Sequence, residues 1–225
     1  VSSTASATIT GGALTGGQGN RGGKGVNVSG SVTLDGVTVT GGASTNSTPG
    51  VGVYCTSPAK NVIITGSTVT GGSPAEGTTT NSAGRAMEIY GPVVLTVDDS
   101  TIKGGDNNRT SGDAIGGNAI WFYDEAAAKA TISLTNTTLG VGNDPAGGAV
   151  ITGNSNAPAG SGGTLAYITA GGTLTVDGGT LKNTTITPTD AGLTIVPNED
   201  TTAVVGENNL TVASKGTVEN AGLTT

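Results

Sequence analysis

One twelve-residue sentence recurs along this chain, and it limits the fold more than any other feature. SVTLDGVTVTGG spans Ser31–Gly42 and NVIITGSTVTGG spans Asn61–Gly72. VLTVDDSTIKGG (Val94–Gly105), TISLTNTTLGVG (Thr131–Gly142) and TLTVDGGTLKNT (Thr173–Thr184) follow the same grammar. A simpler copy, SATITGGALTGG (Ser6–Gly17), comes first, and an irregular one, NLTVASKGTVEN, begins at Asn209. Repeats of this size mark architectures whose units cannot bury an apolar face alone and must stack to do so.

Places two, four and nine of the sentence are apolar: Val32, Leu34 and Val39, then Val62, Ile64 and Val69, then Leu95, Val97 and Ile102, and so on through Leu174, Val176 and Leu181. Alternation with Thr and Ser predicts strands. Places five and six hold turn residues such as Asp35-Gly36 and Asp177-Gly178, which tolerate a left-handed backbone. Each copy therefore reads as a strand, a bend and a second strand, usually closed by Gly-Gly. A further strand precedes each copy: GVNV (Gly25–Val28), GVYC (Gly52–Cys55), AMEIY (Ala86–Tyr90) and AIWFY (Ala119–Tyr123), with later counterparts expected at TLAYI (Thr164–Ile168) and LTIV (Leu193–Val196).

Copies start at residues 6, 31, 61, 94, 131, 173 and 209. The extra residues enter mainly after the Gly-Gly, as ASTNSTPG, SPAEGTTTNSAG and DNNRTSGDAIGG. Three short strands per repeat with growth at one corner predict an all-β fold. The expected form is a single-stranded right-handed parallel β-helix, or β-solenoid, with three strands per coil and about seven to eight coils. The hand follows from the crossover rule for parallel strands. Residues 1–225 are expected to form one continuous domain. A narrow interior filled by Val, Ile, Leu and Thr also accounts for a chain with 41 glycines and only 3% aromatic residues. DEAAAKA (Asp124–Ala130) is too short to stand alone as a helix and is expected to be a loop or one turn. Neither terminus offers an obvious capping helix over an open sheet edge, so the expectation is a fragment of a longer solenoid or a unit that stacks end to end.

Composition narrows the function. The net charge is −7 and no basic block meets phosphates, so nucleic-acid binding is not expected. No apolar run approaches the roughly 20 residues of a membrane helix, so this segment is not expected to insert into a membrane. There is no His and only one Cys, which removes His-based triads, Cys/His zinc sites and haem ligation by His. No cofactor and no metal is expected. Cys55 reads as a small buried apolar residue, with a reactive thiol as the lesser alternative.

ITAGGTLTVDGGTLKNTTIT and LTVASKGTVENAGLTT resemble repeats of bacterial autotransporter adhesins, specifically passenger domains of the self-associating, Gly/Thr-rich kind. The resemblance is firmest from about Ile168 to Thr225 and is one of repeat style; the coils here are longer and their loops more variable. It implies a right-handed β-helix displayed at the bacterial cell surface, this chain being a fragment of a longer secreted passenger whose membrane barrel is a separate C-terminal part. It also implies adhesion, self-association or biofilm roles.

Strand alternation supplies a candidate site. If Val53, Cys55, Met87, Ile89, Ile120 and Phe122 face inward, Tyr54, Glu88, Tyr90, Trp121 and Tyr123 face outward. Asn27, Tyr54, Glu88 and Trp121 should then stack in one column, with Tyr90 and Tyr123 beside it. Aromatic faces stack on sugar rings and dominate many interfaces, so these residues are the candidate ligand-binding set. The alternative is that they pack beneath the adjoining loops. Other classes are weaker. Asp35, Asp98, Asp99, Asp106, Asp113 and Asp177 offer oxygens for Ca²⁺, but turn formation explains them, and Thr65 and Thr135 break the acidic column. Arg85, Lys103 and Arg109 are present, but no coil gathers them with acids in the paired-carboxylate or base-and-Ca²⁺ arrangement that a hydrolase or lyase needs, so no catalytic residue is assigned. The Thr column Thr38, Thr68, Thr101, Thr138 and Thr180 could order ice, but β-propensity on an exposed strand accounts for it.

The expected function is a non-catalytic surface adhesin. Its expected partner is a glycan, a host surface or matrix protein, or a second copy through homotypic cell–cell aggregation. The alternative is a pectate-lyase-like protein that binds or cleaves carbohydrate.

Overall fold

The computed structural model describes residues 1–56, 59–78, 82–107, 116–122, 130–142, 151–153, 166–177, 184–197, 210–212 and 216–218. Among them there is no helix, and every strand pairing is parallel. The strands stack in three rows. The first holds Val26–Val28, Val53–Cys55, Met87–Ile89, Ile120–Phe122 and Ile151–Gly153, a sheet of its own. The second begins with Ser6–Thr10, Ser31–Asp35, Asn61–Thr65 and Val94–Asp98, and the third with Ala13–Thr15, Thr38–Thr40, Thr68–Thr70 and Thr101–Lys103. Ala130–Gly140, Ala166–Asp177 and Thr184–Pro197 run through both of these rows, which makes them one curled sheet. A β-solenoid is compatible with this layout.

The register follows the repeat. Place two of the first five copies forms one column, Ala7, Val32, Val62, Leu95 and Ile132, which Ile168, Ile186 and Val212 continue. Burial alternates along each strand, so Val62 and Ile64 are fully buried while Asn61 and Ile63 are exposed. Parallel sheets are usually covered on both faces and read as continuous apolar runs. Here one face is wet, because the curled sheet encloses its own core. That core is a single cluster running from Val26 to Ile195.

Beyond Gly142 the sequence repeat and the structural repeat part company. Tyr167 pairs with Thr131 and Leu139 with Val176. TLAYI therefore supplies the second row and not the first, and TLTVD and LTIV lie in the third row. The fifth member of the first row is Ile151–Gly153, which the repeat pattern passed over. In this part the bend is a register shift inside a continuous strand, between Thr135 and Thr137 and between Ala170 and Gly172, so the predicted break into two strands is absent. Alternating Thr and Val fits the second row as well as the third, so place in the stack is set by pairing.

Three backbone devices hold the rows in register. Place six is left-handed in every described copy up to Asn136: Gly11, Gly36, Gly66, Asp99 and Asn136 have φ of 66°, 62°, 53°, 49° and 45°. Place seven adds buried hydroxyls. Ser67 Oγ accepts from Val37 N at 3.0 Å, and Ser100 Oγ accepts from Ser67 N at 3.0 Å. Ser67 and Ser100 also donate to carbonyls of their own bends, Thr65 O at 2.8 Å and Asp98 O at 2.6 Å. Each hydroxyl thus satisfies a bend amide one repeat below that water cannot reach.

The third device is a glycine seam. Gly23 donates to Gly17 O, Gly42 to Gly23, Gly50 to Gly42, Gly72 to Gly50, Gly84 to Gly72, Gly105 to Gly84, Gly117 to Gly105 and Gly142 to Gly117. These bonds measure 2.7 to 3.0 Å and form one unbroken N–H to C=O file along the stack. The file threads alternately through the glycine that ends the third-row segment and the glycine that precedes the first row. Variable segments such as 43–49 and 106–116 leave and return through this seam. A Cβ on Gly50 would stand 1.9 Å from Gly23 O, so the approach requires glycine.

Candidate functional site

The first row carries the predicted column. Its short strands each follow a glycine or alanine: Gly25, Gly52, Ala86 and Ala119. A Cβ on Gly25 would meet Val39 Cγ1 at 2.6 Å, so a small residue is needed where this row swings in against the third. Val26, Val28, Val53, Cys55, Met87, Ile89, Ile120 and Phe122 point into the core. Asn27, Tyr54, Glu88 and Trp121 occupy consecutive register positions on the other face, and Thr152 holds the next register position. The alignment of Tyr54, Glu88 and Trp121 is the one read from strand alternation. Tyr90 follows the end of its strand, and its ring lies 5.1 Å from that of Tyr54 at 53°. Tyr123 lies outside the described residues, as do Arg109, Asp113 and Thr180.

Two cations absent from the predicted set complete the ledge. Lys24 Nζ stands 3.2 Å from the centroid of the Tyr54 ring. Arg85 Cζ stands 3.8 Å from the centroid of the Trp121 ring, and its guanidinium pairs with the Glu88 carboxylate. Both cations sit three residues before a column residue, Lys24 before Asn27 and Arg85 before Glu88. Each reaches from its own repeat to the aromatic ring of the next. Cation–π contacts of this kind stabilise by about 0.5–2 kcal/mol. The sequence held the signal in GKGVNV and GRAMEI, a cation at one offset from alternate members of the column.

Arg85 also alters Glu88. It belongs to the outward column, yet it is only 9% exposed and its carboxylate is paired. Tyr54, Tyr90 and Trp121 are half-buried, while Lys24 and Asn27 are exposed. Trp121 Nε1 is buried with no hydrogen-bond partner among the described residues. The result is a ledge of three rings, two of them with a cation over one face, bordered by an exposed amide.

The remaining candidates fall apart spatially. Asp35, Thr65, Asp98, Thr135 and Gly171 form the place-five column, with the acids separated by Thr as the sequence indicated. Asp177 is not in that column. It lies in the third row beside Gly140 and pairs with Lys103 Nζ at 3.1 Å, across a glycine that leaves room for both chains. Among the described residues no three His, Cys, Asp or Glu side chains gather as a metal site. The Thr column continues from Thr138 to Thr175 rather than to Thr180.

Cys55 is fully buried, and desolvation raises its thiol from 9.0 to about 12. The unfolded thiol ionises near 9.0 while the folded one holds its proton, so this group's contribution to stability is present below pH 9.0 and falls as pH rises toward about 12. The native protein should not react with a thiol-specific disulfide reagent at pH 8 and should react fully in denaturant. Rapid labelling of the native protein would contradict this burial.

Comparison with protein-family models, with curated proteins and with solved structures returns no match.

Proposed function

We propose that the chain is a right-handed parallel β-helix, three strands per coil, that acts as a non-catalytic adhesive segment of a bacterial surface protein. The first-row ledge is its contact surface for a glycan or a glycan-bearing host surface, and homotypic contact between stacks is a second route to aggregation. One observation carries this reading: Asn27, Tyr54, Glu88 and Trp121 occupy one register column on the face away from the core, with Tyr90, Lys24 and Arg85 packed on it. Rings concentrated on one outward row of a chain with so few aromatic residues point to a specialised face. Resemblance to passenger repeats supports the placement at the cell surface.

The test is a glycan and extracellular-matrix binding screen of the purified chain beside a Tyr54→Ala/Trp121→Ala variant. We expect binding to one ligand class and a loss of at least about tenfold in the variant, since buried aromatic anchors each account for 2 kcal/mol or more. The variant should keep the parent's circular dichroism spectrum. Equal binding by both proteins would make the ledge structural.

A further inference from the structure

Among the described residues, cations gather toward one row. Among the described residues there are five Lys and Arg, namely Arg21, Lys24, Lys60, Arg85 and Lys103. Three of them, Arg21, Lys24 and Arg85, stand on or just before the first row. Of the described acids, only Glu88 lies in that row, and it is taken up by Arg85. Of the other described acids, Asp35, Asp98, Asp99, Asp177 and Asp190 lie on the second and third rows or at the bend between them, and Glu76 and Asp106 lie in the segments that follow the third row. Among the described residues the ledge therefore carries more cations than acids, on a chain whose net charge is −7. Salt screens charges beyond about 10 Å at 0.1 M, so a ligand on the ledge meets the local sign and not the net one.

Resting on the glycan reading above, we infer that the first-row ledge selects an acidic polysaccharide. Lys24 is the residue that reads the acid. It is exposed, and no ion pair claims it among the described residues. Its ammonium is held over Tyr54, so the flexible four-carbon stem is already ordered before a ligand arrives. A free lysine carries rotamer entropy, and binding does not have to remove what the ring has already removed. Asn27, three residues on and also exposed, offers an amide to sugar hydroxyls. Arg85 repeats the arrangement two rungs along, on the order of 10 Å away at the usual strand spacing. That spacing is comparable to the length of an extended disaccharide, so a polymer with one acid group per disaccharide can meet both cations in register. Arg85 is already partnered by Glu88, which makes it the weaker contact and leaves Lys24 as the discriminating one.

The experiment measures binding of hyaluronate, of neutral dextran and of anionic phospholipid vesicles to the full chain by isothermal titration calorimetry at low and high salt. Hyaluronate should bind, weakening as salt rises, and dextran and the vesicles should not. Lys24→Glu should cut hyaluronate affinity by about tenfold or more, as loss and reversal of a contacting charge does, and Lys24→Arg should retain it. Lys60→Glu, the same charge change away from the first row, should leave it unchanged. Dextran bound as well as hyaluronate, vesicles bound as well as hyaluronate, or Lys24→Glu behaving like the parent would each overturn the acidic selectivity. If Tyr54→Ala/Trp121→Ala abolished dextran binding, the glycan reading would survive while this inference fell. Failure of every glycan in the wider screen would remove both.

Discussion

Gly50→Ala is expected to destabilise the protein by on the order of 3–5 kcal/mol, combining overpacking with the loss of two hydrogen bonds. The new methyl would stand 1.9 Å from Gly23 O and 2.6 Å from Gly42 N, and both are backbone atoms that no side-chain rotation can move. Gly50 also donates to Gly42 O at 2.7 Å and accepts from Gly72 N at 2.8 Å, so displacing it opens the file on both sides. Total stabilities of domains lie at about 5–15 kcal/mol, which makes this loss a large share. Gly17→Ala is the matched control. A Cβ there meets nothing within 4 Å, and its cost should stay within about 0.5 kcal/mol. Urea unfolding of the two variants measures the difference. Stacked repeats contact mainly their neighbours, so the damage should also be local. Hydrogen exchange should quicken at Gly42, Gly72 and the strands beside them, and change little around Ile132 and Leu134. Equal midpoints for Gly50→Ala and Gly17→Ala would show that the seam is not close-packed in solution.

Ile64→Ala should cost about 2–5 kcal/mol, the range for cavities left by buried aliphatics. Ile64 is 0% exposed and stands between Leu34 below and Val97 above in the place-four column. A stacked column offers little room to collapse, because the rungs are held apart by their hydrogen-bond ladders. Its neighbour Ile63 supplies the contrast. It is 38% exposed on the outer face, between Thr33 and Thr96, and Ile63→Ala should change stability by no more than about 0.5 kcal/mol. Two identical substitutions at adjacent positions therefore report the register directly. A one-residue slip would exchange their effects. Comparable losses at both sites would rule out the pairing of Asn61–Thr65 described here.

How the candidate site divides between sequence and structure can be seen residue by residue. Strand alternation alone placed Tyr54, Glu88 and Trp121 on one outward line, because a side-chain period of two leaves no other choice once Val53, Cys55, Met87 and Ile89 go inward. Alternation said nothing of Lys24 and Arg85. They lie before their strands, outside any periodic pattern, and matter only because a neighbouring repeat presents a ring at the right height. Glu88 is the clearest case: outward by pattern, it is buried by Arg85, three residues earlier on the same repeat. Tyr167 went the other way. It was expected to continue the first row, and it pairs with Thr131 in the second.

The sequence by itself determined that the described part of this chain is built of repeated strands without a helix, which apolar residues of those strands are buried, and where the bends fall as far as Asn136, since Gly, Asp and Asn at place six permit the left-handed backbone found there. These are local properties, written in side-chain period and backbone freedom. Only the tertiary structure decided which strand stacks on which after Gly142, which cation covers which ring, and that the closing Gly-Gly pairs join the glycines before the first row in one hydrogen-bonded seam. Those outcomes depend on contacts between residues some thirty positions apart, and a motif of alternating Thr and Val fits more than one such partner equally well until the backbones pair.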